Sequence, residues 1–256
     1  GSIGFNSYRG FESLSLRHNI ECSMNTPKVI HWFRQDLRLS DNPALFEAAK
    51  NSSILPIYIL DNINSKELAM GEASRFWLHH SLNSLNKSLD QNLSIYSGDP
   101  IKVILDIIDR LDIKEIFWNR CYEPWRINRD THIKKELESK GIKVNTLNGS
   151  LLWEPWTIKK GDGTPYKVFT PYFRKGCLLS DEPRKPISTP INLDLFNDNN
   201  SLKDINALSL LPSTKWDIKM KSFWNIGELG ANNRLTEFLN NGVENYKVGR
   251  NIPSKP

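Results

Sequence analysis

The sequence KVIHWFRQDLRLSDNPALFEAAK (residues 28–50) combines a strand pattern, a turn and the beginning of a helix. Its first six residues form a mostly apolar run that is typical of a buried strand, and Pro43 after Asp41 or Asn42 is typical of a capped first helical turn. An ordinary dinucleotide-binding domain would place a glycine-rich loop between these elements, where the backbone approaches a phosphate. This turn contains no glycine. The segment therefore predicts the first strand and helix of an α/β domain that lacks the usual dinucleotide chemistry.

The same alternation of strand and helix patterns continues along the chain. Short apolar runs predict four further strands, and helical spacing or a proline after a capping residue predicts the helices between them. Strands that alternate with helices through short connections form βαβ units with parallel strands. We therefore predict an α/β fold with a doubly wound, five-stranded parallel sheet. The further strands are expected at 54–61, 93–98, 115–119 and 142–149, and the helices at 71–91, 98–111 and 129–141.

Composition narrows the class of protein. The 256 residues carry a formal net charge of +5, which permits a polyanionic partner without demanding one. Cys22, Cys121 and Cys177 lie far apart and form no CxxC pair, so we expect neither a disulfide framework nor a metal site and favour the reducing cytoplasm. Because no apolar run approaches the roughly 20 residues that a membrane helix needs, we expect no membrane association.

Polar side chains come after the first and fourth predicted strands. Arg34, Asp36 and Arg38 lie directly after the first strand, and FWNRCYEPWRINRD (residues 117–130) spans the end of the fourth strand and the residues beyond it. The carboxyl ends of parallel strands lie at one edge of a sheet, where α/β domains bind their ligands. Two interpretations stay open. The charged and aromatic side chains could form a pocket for a flat or anionic small molecule. The alternative for the turn after the first strand is an ion network that anchors the following helix, and the alternative for residues 117–130 is a helix N-terminus with ordinary surface charges.

Five segments, in order along the chain, resemble one family, the DNA photolyases and cryptochromes. HWFRQDLRLSDNPAL resembles the family's N-terminal signature, and WNRCYEPWRINRD resembles its W-N-x-x-Y-E-P-x-x-x-x-R-D stretch. GEASRFWLHHSLNSL resembles a helix of bacterial members, YKVFTPYFRK resembles a Y-x-V-[FY]-T-P-[FY] segment, and FLNNGVENYKVGRNIP resembles the opening helix of the flavin-binding domain. The resemblance runs from residue 28 to residue 256 and is strongest to the bacterial cyclobutane pyrimidine dimer photolyases.

The resemblance implies both an organisation and an activity. Family members have an N-terminal α/β domain, a long connector and a helical domain that binds FAD. Reduced, light-excited FAD donates an electron to a pyrimidine dimer in UV-damaged DNA, the ring splits and the electron returns. We therefore expect the N-terminal part of a deoxyribodipyrimidine photo-lyase that works as a monomer. The expected divisions are a tag or disordered leader at 1–23, an antenna-type α/β domain at 24–155, a connector at 156–226 and the truncated start of a helical FAD-binding domain at 227–256.

The resemblance also assigns individual residues. Tyr246 matches a tyrosine that contacts FAD, and Arg250 matches an arginine near the DNA-binding face, with a solvated surface charge as the alternative for Arg250. The α/β domain of relatives often holds an antenna pigment, either a deazaflavin or a folate such as methenyltetrahydrofolate. Some folate-binding members have an Asn-Glu pair where this sequence has Trp125-Arg126, which leaves a deazaflavin, a differently placed folate or no antenna open. The expected wall residues of an antenna pocket are Arg34, Asp36, Asp61, Asn62 and Glu123.

The sequence ends just before the family's T-S-x-L-S-P segment, which binds phosphate. We therefore expect the chain by itself to bind FAD weakly, to repair no DNA and to contain no catalytic residue. Two alternatives stay open: a cryptochrome, which is a blue-light photoreceptor of the same fold, and a free-standing α/β nucleotide-binding module.

Overall fold

The computed structural model describes residues 26–202 and 204–253, and the predicted leader at 1–23 lies outside them. Within the described residues, five strands form one parallel sheet in the order β3-β2-β1-β4-β5. The chain order therefore reverses at β1, which confirms the predicted doubly wound α/β fold. The strands are β1 (Lys28–Phe33), β2 (Ser53–Leu60), β3 (Ser94–Ser97), β4 (Glu115–Asn119) and β5 (Lys143–Leu147).

Four helices connect the strands. Two of these helices begin with a capping side chain and a proline, as the sequence predicts. Asn42 caps α1 by accepting from the Leu45 N–H at 3.1 Å, and Asp99 precedes the proline that begins α3. Helix α4 begins at Pro124 rather than at residue 129, because a first-turn proline starts the helix inside the segment 117–130, as in the alternative interpretation of that segment as a helix N-terminus. The helices are α1 (Pro43–Ala48), α2 (Glu72–Ser88), α3 (Pro100–Leu111) and α4 (Pro124–Ser139).

Apolar side chains bury both faces of the sheet. Along β1, Val29 and Phe33 belong to a core shared with α1 and α2, whereas Ile30 and Trp32 belong to a second core shared with α3 and α4. Successive side chains of a strand point to opposite faces, so one apolar run serves both cores. This explains why the strands appear in the sequence as continuous apolar runs without polar alternation.

The segment predicted as a connector packs along the outer part of the sheet. The backbone N–H of Ile54 in β2 donates to the carbonyl of Asp194 at 2.8 Å, and the Asp198 carboxylate accepts from the Tyr96 hydroxyl at 2.6 Å and from Arg110 at 2.7 Å. Burial opposes ionisation of Asp198, but these hydrogen bonds outweigh it and lower its pKa to about 2. The connector is therefore fixed by a partly buried ionic contact as well as by backbone pairing.

The later part of the chain is helical and largely exposed. The connector contains α5 (Phe169–Pro171), continued by a single π-helical turn, and α6 (Asp217–Phe223). The predicted start of a helical domain at 227–256 contains two helices that are separated near Gly242, α7 (Glu228–Asn241) and α8 (Tyr246–Gly249). None of the described helices is both long enough and apolar enough to cross a bilayer.

Candidate functional site

A cavity of about 580 Å³ lies at the carboxyl ends of β1 and β2. Its volume falls in the range of roughly 300–1,000 Å³ that is usual for small-molecule sites. Three of the five predicted wall residues line it, namely Arg34, Asp61 and Asn62. Helices α2, α4 and α7 supply further walls. Other polar and aromatic residues along the cavity include Trp32, Tyr58, Trp77, Trp125, Arg126, Arg129 and Glu228.

A chain of ion pairs lies along one side of this cavity, and three of its four members, Arg34, Asp61 and Arg129, line it. Asp130 pairs with Arg34 and, at 2.8 Å, with Arg129, which in turn donates to Asp61 at 3.0 Å. All four side chains are at most 12% exposed. Burial opposes ionisation of Asp61, but hydrogen bonds from Asn64 and Arg129 outweigh it and lower the pKa of Asp61. Two carboxylates therefore balance two guanidinium groups, and the chain of ion pairs is electrically neutral overall.

Arg34 keeps hydrogen-bonding capacity at the cavity. Its Nη1 pairs with Asp130, but its Nε and Nη2 have no hydrogen-bond partner among the described residues, although the side chain is only 3% exposed. Its guanidinium carbon lies 5.0 Å from the centre of the Trp32 ring. A buried donor without a partner is costly. Both nitrogens are themselves buried, so a ligand with a carbonyl or an anionic oxygen would reach them only if the surrounding side chains shift.

Aromatic rings and guanidinium groups stack along the same wall. The Arg126 guanidinium lies 4.8 Å from the Trp125 ring centre, and that of Arg129 lies 5.2 Å from the same ring. Like Arg34, Arg126 has a buried Nε without a hydrogen-bond partner among the described residues. The flat faces of the aromatic ring and the guanidinium groups suit the binding of a planar heterocycle. No group of three potential metal ligands occurs in the described part of the chain.

Asp36 stabilises the turn and does not line the cavity. Its carboxylate accepts from the Arg34 backbone N–H at 3.0 Å and from the Asn119 side chain at 2.6 Å. Asn119, at the end of β4, also donates to Asn42 at 2.7 Å and accepts from the Ala44 N–H at 3.2 Å. The position of Asp36 thus matches the alternative of an ion and hydrogen-bond network that anchors the helix.

Replacing Asn119 by alanine is expected to lower the free energy of unfolding by about 2 kcal/mol, because the change leaves one Asp36 oxygen and the Ala44 N–H buried without partners. Urea unfolding of the whole chain measures the effect. Asn128→Ala, at an exposed position on α4, is the control and should change stability by less than about 0.5 kcal/mol. Equal effects of the two variants would contradict this role of Asn119.

Glu123 lies behind the cavity wall. Its carboxylate accepts from the Gln35 side chain at 2.8 Å and lies 3.7 Å from the Arg126 Nε. Both of these partners line the cavity, whereas Glu123 does not. Glu123 is thus placed to orient two wall residues.

Tyr246 and Arg250 lie together on α8 and at its end, and neither lines the cavity. The Tyr246 ring is 50% exposed and packs against Phe238 with 5.7 Å between ring centres. The Arg250 guanidinium lies 5.7 Å from the Tyr246 ring centre. The residues predicted for flavin and for DNA are thus neighbours on one exposed surface.

Two residues of the site were not assigned from the sequence: Asp130, which pairs with two lining residues, and Glu228, which lines the cavity. Asp130 was part of the quoted segment 117–130, but nothing local indicates that it pairs with a residue in β1–α1. Glu228 begins α7, which is about 190 residues away from the turn that it contacts. A helical pattern predicts the helix but gives no signal for where the helix docks.

Comparisons with known proteins agree on one family. The family model described as DNA photolyase matches residues 29–190. Deoxyribodipyrimidine photo-lyase of Agrobacterium fabrum is 35% identical over 239 residues, which cover 91% of this chain and 49% of that protein. Cryptochrome-2 of Arabidopsis thaliana is 39% identical over 156 residues, which cover 59% of this chain and 25% of that protein. The chain thus spans half or less of the length of these curated relatives.

The same similarity is seen in three dimensions. A bacterial class III photolyase from Agrobacterium tumefaciens superposes with a TM-score of 0.82 at 35% sequence identity. The match covers 93% of this chain and 49% of that structure. Sequence and fold therefore lead to the same group of proteins.

Proposed function

The chain belongs to the DNA photolyase family, and from that membership we propose that it is the N-terminal part of a light-driven enzyme that splits cyclobutane pyrimidine dimers in UV-damaged DNA. The names of the bacterial relatives support this proposal. In the whole enzyme, bound FAD in its reduced, excited state would supply the electron for ring splitting. Tyr246 is the proposed contact to the edge of that flavin, and Arg250 the proposed contact to a DNA phosphate. Their exposure on one surface supports both assignments.

For the described part of the chain we propose a light-gathering role, in which the cavity binds a flat antenna pigment. The observation that carries this proposal is Arg34, a buried cation at the cavity with two donor atoms unused. A deazaflavin and methenyltetrahydrofolate both present ring carbonyl oxygens and ring nitrogens on a planar heterocycle. Either could accept from Arg34 and donate to Asp61.

The remaining wall residues have distinct proposed tasks. Trp125 and Arg126 would stack on the pigment, and Asn62 would hydrogen-bond its polar edge at the cavity mouth. Asp36 acts through Arg34, because it holds the Arg34 backbone N–H, and Glu123 acts through Gln35. Asp36 and Glu123 are therefore proposed as positioning residues, without direct contact to the pigment.

The proposal is tested by titrating the purified chain with methenyltetrahydrofolate and with a deazaflavin while pigment fluorescence is followed. Arg34→Lys keeps a cation beside Asp130 but removes the guanidinium donors, so we expect affinity to fall at least about tenfold. Arg120→Lys is a matched control, since Arg120 follows β4, pairs with Glu154 and does not line this cavity. Failure of both pigments to bind, or equal affinity in the two variants, would contradict an antenna site built on Arg34.

The match to cryptochrome-2 supports a second candidate, a blue-light photoreceptor of the same fold. The two candidates differ in one measurable property of the whole protein. A photolyase shortens the lifetime of thymine dimers in DNA only under blue light, whereas a cryptochrome of this kind leaves them intact.

A further inference from the structure

Helix α7 forms one wall of the cavity, and a carboxylate at its start contacts the turn after β1. Glu228 accepts hydrogen bonds from the backbone N–H groups of Leu39 at 2.8 Å and Ser40 at 2.9 Å, and also from the Ser40 hydroxyl. Leu39 and Ser40 lie in the turn after β1, the turn that carries Arg34. One side chain of α7 thus satisfies three donors of the turn beside the cavity.

The start of α7 is also held closely by helix α2. Gly227 has φ +118°, a conformation that side-chain-bearing residues rarely adopt, and a Cβ at this position would overlap the Ser84 side chain. Just before it, the Trp224 ring packs edge-to-face on Trp77 with 5.4 Å between ring centres. Trp77 lines the cavity. The docking of α7 is therefore specified at two neighbouring places, the turn after β1 and the surface of α2.

From these contacts we infer that Glu228 is a positioning residue that holds α7 as a cavity wall, so that ligand binding in the cavity and docking of α7 stabilise each other. The cavity-lining residues of α7 after Glu228 are Ala231 and Asn232, and both are otherwise exposed. A ligand that touches them gains contact area only while α7 is docked. Coupling between two events is reciprocal. The factor by which docking of α7 strengthens ligand binding therefore equals the factor by which the ligand favours the docked helix.

The part of this inference that concerns ligands rests on the proposed function, and the part that concerns docking does not. Hydrogen exchange of backbone amides in the whole 256-residue chain tests the docking without any ligand. In Glu228→Ala, we expect exchange at Leu39, at Ser40 and at the hydrogen-bonded amides of α7 from Ala231 onward to become at least about tenfold faster, while the amides of β4 keep their rate. Glu237→Ala is the matched control, because Glu237 lies on the same helix and pairs only with the exposed Arg234 among the described residues.

Titration with methenyltetrahydrofolate and with a deazaflavin tests the coupling. The pigment that binds the unaltered chain is expected to bind Glu228→Ala about tenfold more weakly, within the usual range of coupling between sites. The bound pigment should slow amide hydrogen exchange in α7 of the unaltered chain and of Glu237→Ala, but not in α7 of Glu228→Ala.

The outcomes separate the two proposals. If neither pigment binds the unaltered chain while Glu228→Ala still accelerates exchange at Leu39 and Ser40, the antenna proposal fails and the positioning role of Glu228 stands. If a pigment binds and Glu228→Ala changes neither its affinity nor the exchange rates, the inference about Glu228 is overturned and the antenna proposal stands.

Discussion

Asp130→Asn is expected to lower the free energy of unfolding by about 3–5 kcal/mol, because it removes the shared anion of a buried ion-pair chain. Within the described residues, Asp130 is the carboxylate that contacts both Arg34 and Arg129. Arg129 keeps Asp61 as a partner after the change, whereas Arg34 keeps none. A guanidinium that is 3% exposed would then carry its charge without compensation.

Urea unfolding followed by circular dichroism measures this effect. Glu138→Gln is the matched control, because Glu138 lies on the same helix and its pair with Lys134, at 3.6 Å, is exposed to solvent. Exposed pairs of this kind contribute about 0.5 kcal/mol or less. If Asp130→Asn cost less than about 1 kcal/mol, Arg34 would have to be solvated or paired differently, and the argument for its unused donors would be lost.

The sequence predicted the sheet well because its signals are local. Each strand is an apolar run, and capping residues such as Asn42 and Asp99 mark where helices begin. The parallel direction of the strands followed from a general property of βαβ units rather than from any single residue. Helix α4 was predicted too short because Trp125 and Arg126 are as typical of a binding loop as of a first helical turn.

The candidate site was only partly accessible to sequence reasoning. Arg34 was expected at this edge because it follows the first strand, whereas Asp61 and Asn62 were assigned only through the family resemblance. All three line the cavity. No sequence pattern indicates the direction in which a side chain points within a turn. Asp36, two residues after Arg34, is turned inward by the Asn119 side chain from a different strand. The docking of α7 through Glu228 likewise depends on a contact that only the folded chain creates.

His31 is expected to make the fold sensitive to mild acid. It lies in the middle of β1 with no exposed surface, and neither ring nitrogen has a hydrogen-bond partner among the described residues. Burial disfavours the charged imidazolium and lowers the pKa of His31 from 6.5 to about 4, an effect that the nearby Asp36 opposes and Arg34 assists. The neutral imidazole is thus tolerated inside the core, and the cation is not.

The sign of the pH effect is set by proton binding. Between pH 6.5 and pH 4 the unfolded chain binds a proton at this histidine while the folded chain does not, so stability falls as the pH falls through this window. A pKa that is lower by about 2.5 in the folded chain corresponds to a loss of about 3 kcal/mol by pH 4. His79 and His80, whose pKa values burial also lowers, add to the acid sensitivity. Asp198 does not contribute in this window, because its carboxylate loses its stabilising effect only below about pH 3.8.

His31→Val isolates the contribution of His31, because His79 and His80 titrate in both proteins and cancel in the difference. Urea unfolding between pH 7 and pH 4 should show the variant losing about 3 kcal/mol less stability than the unaltered chain. Asn128→Ala, at an exposed position on α4, is the control and should keep the original pH dependence, because it removes no titratable group. Parallel stability curves for the unaltered chain and His31→Val would mean that water or a rearranged Asp36 reaches the imidazole. That result would also mean that the turn after β1 is less rigid than these contacts indicate, because Asp36 is held in that turn by the Arg34 N–H and the Asn119 side chain.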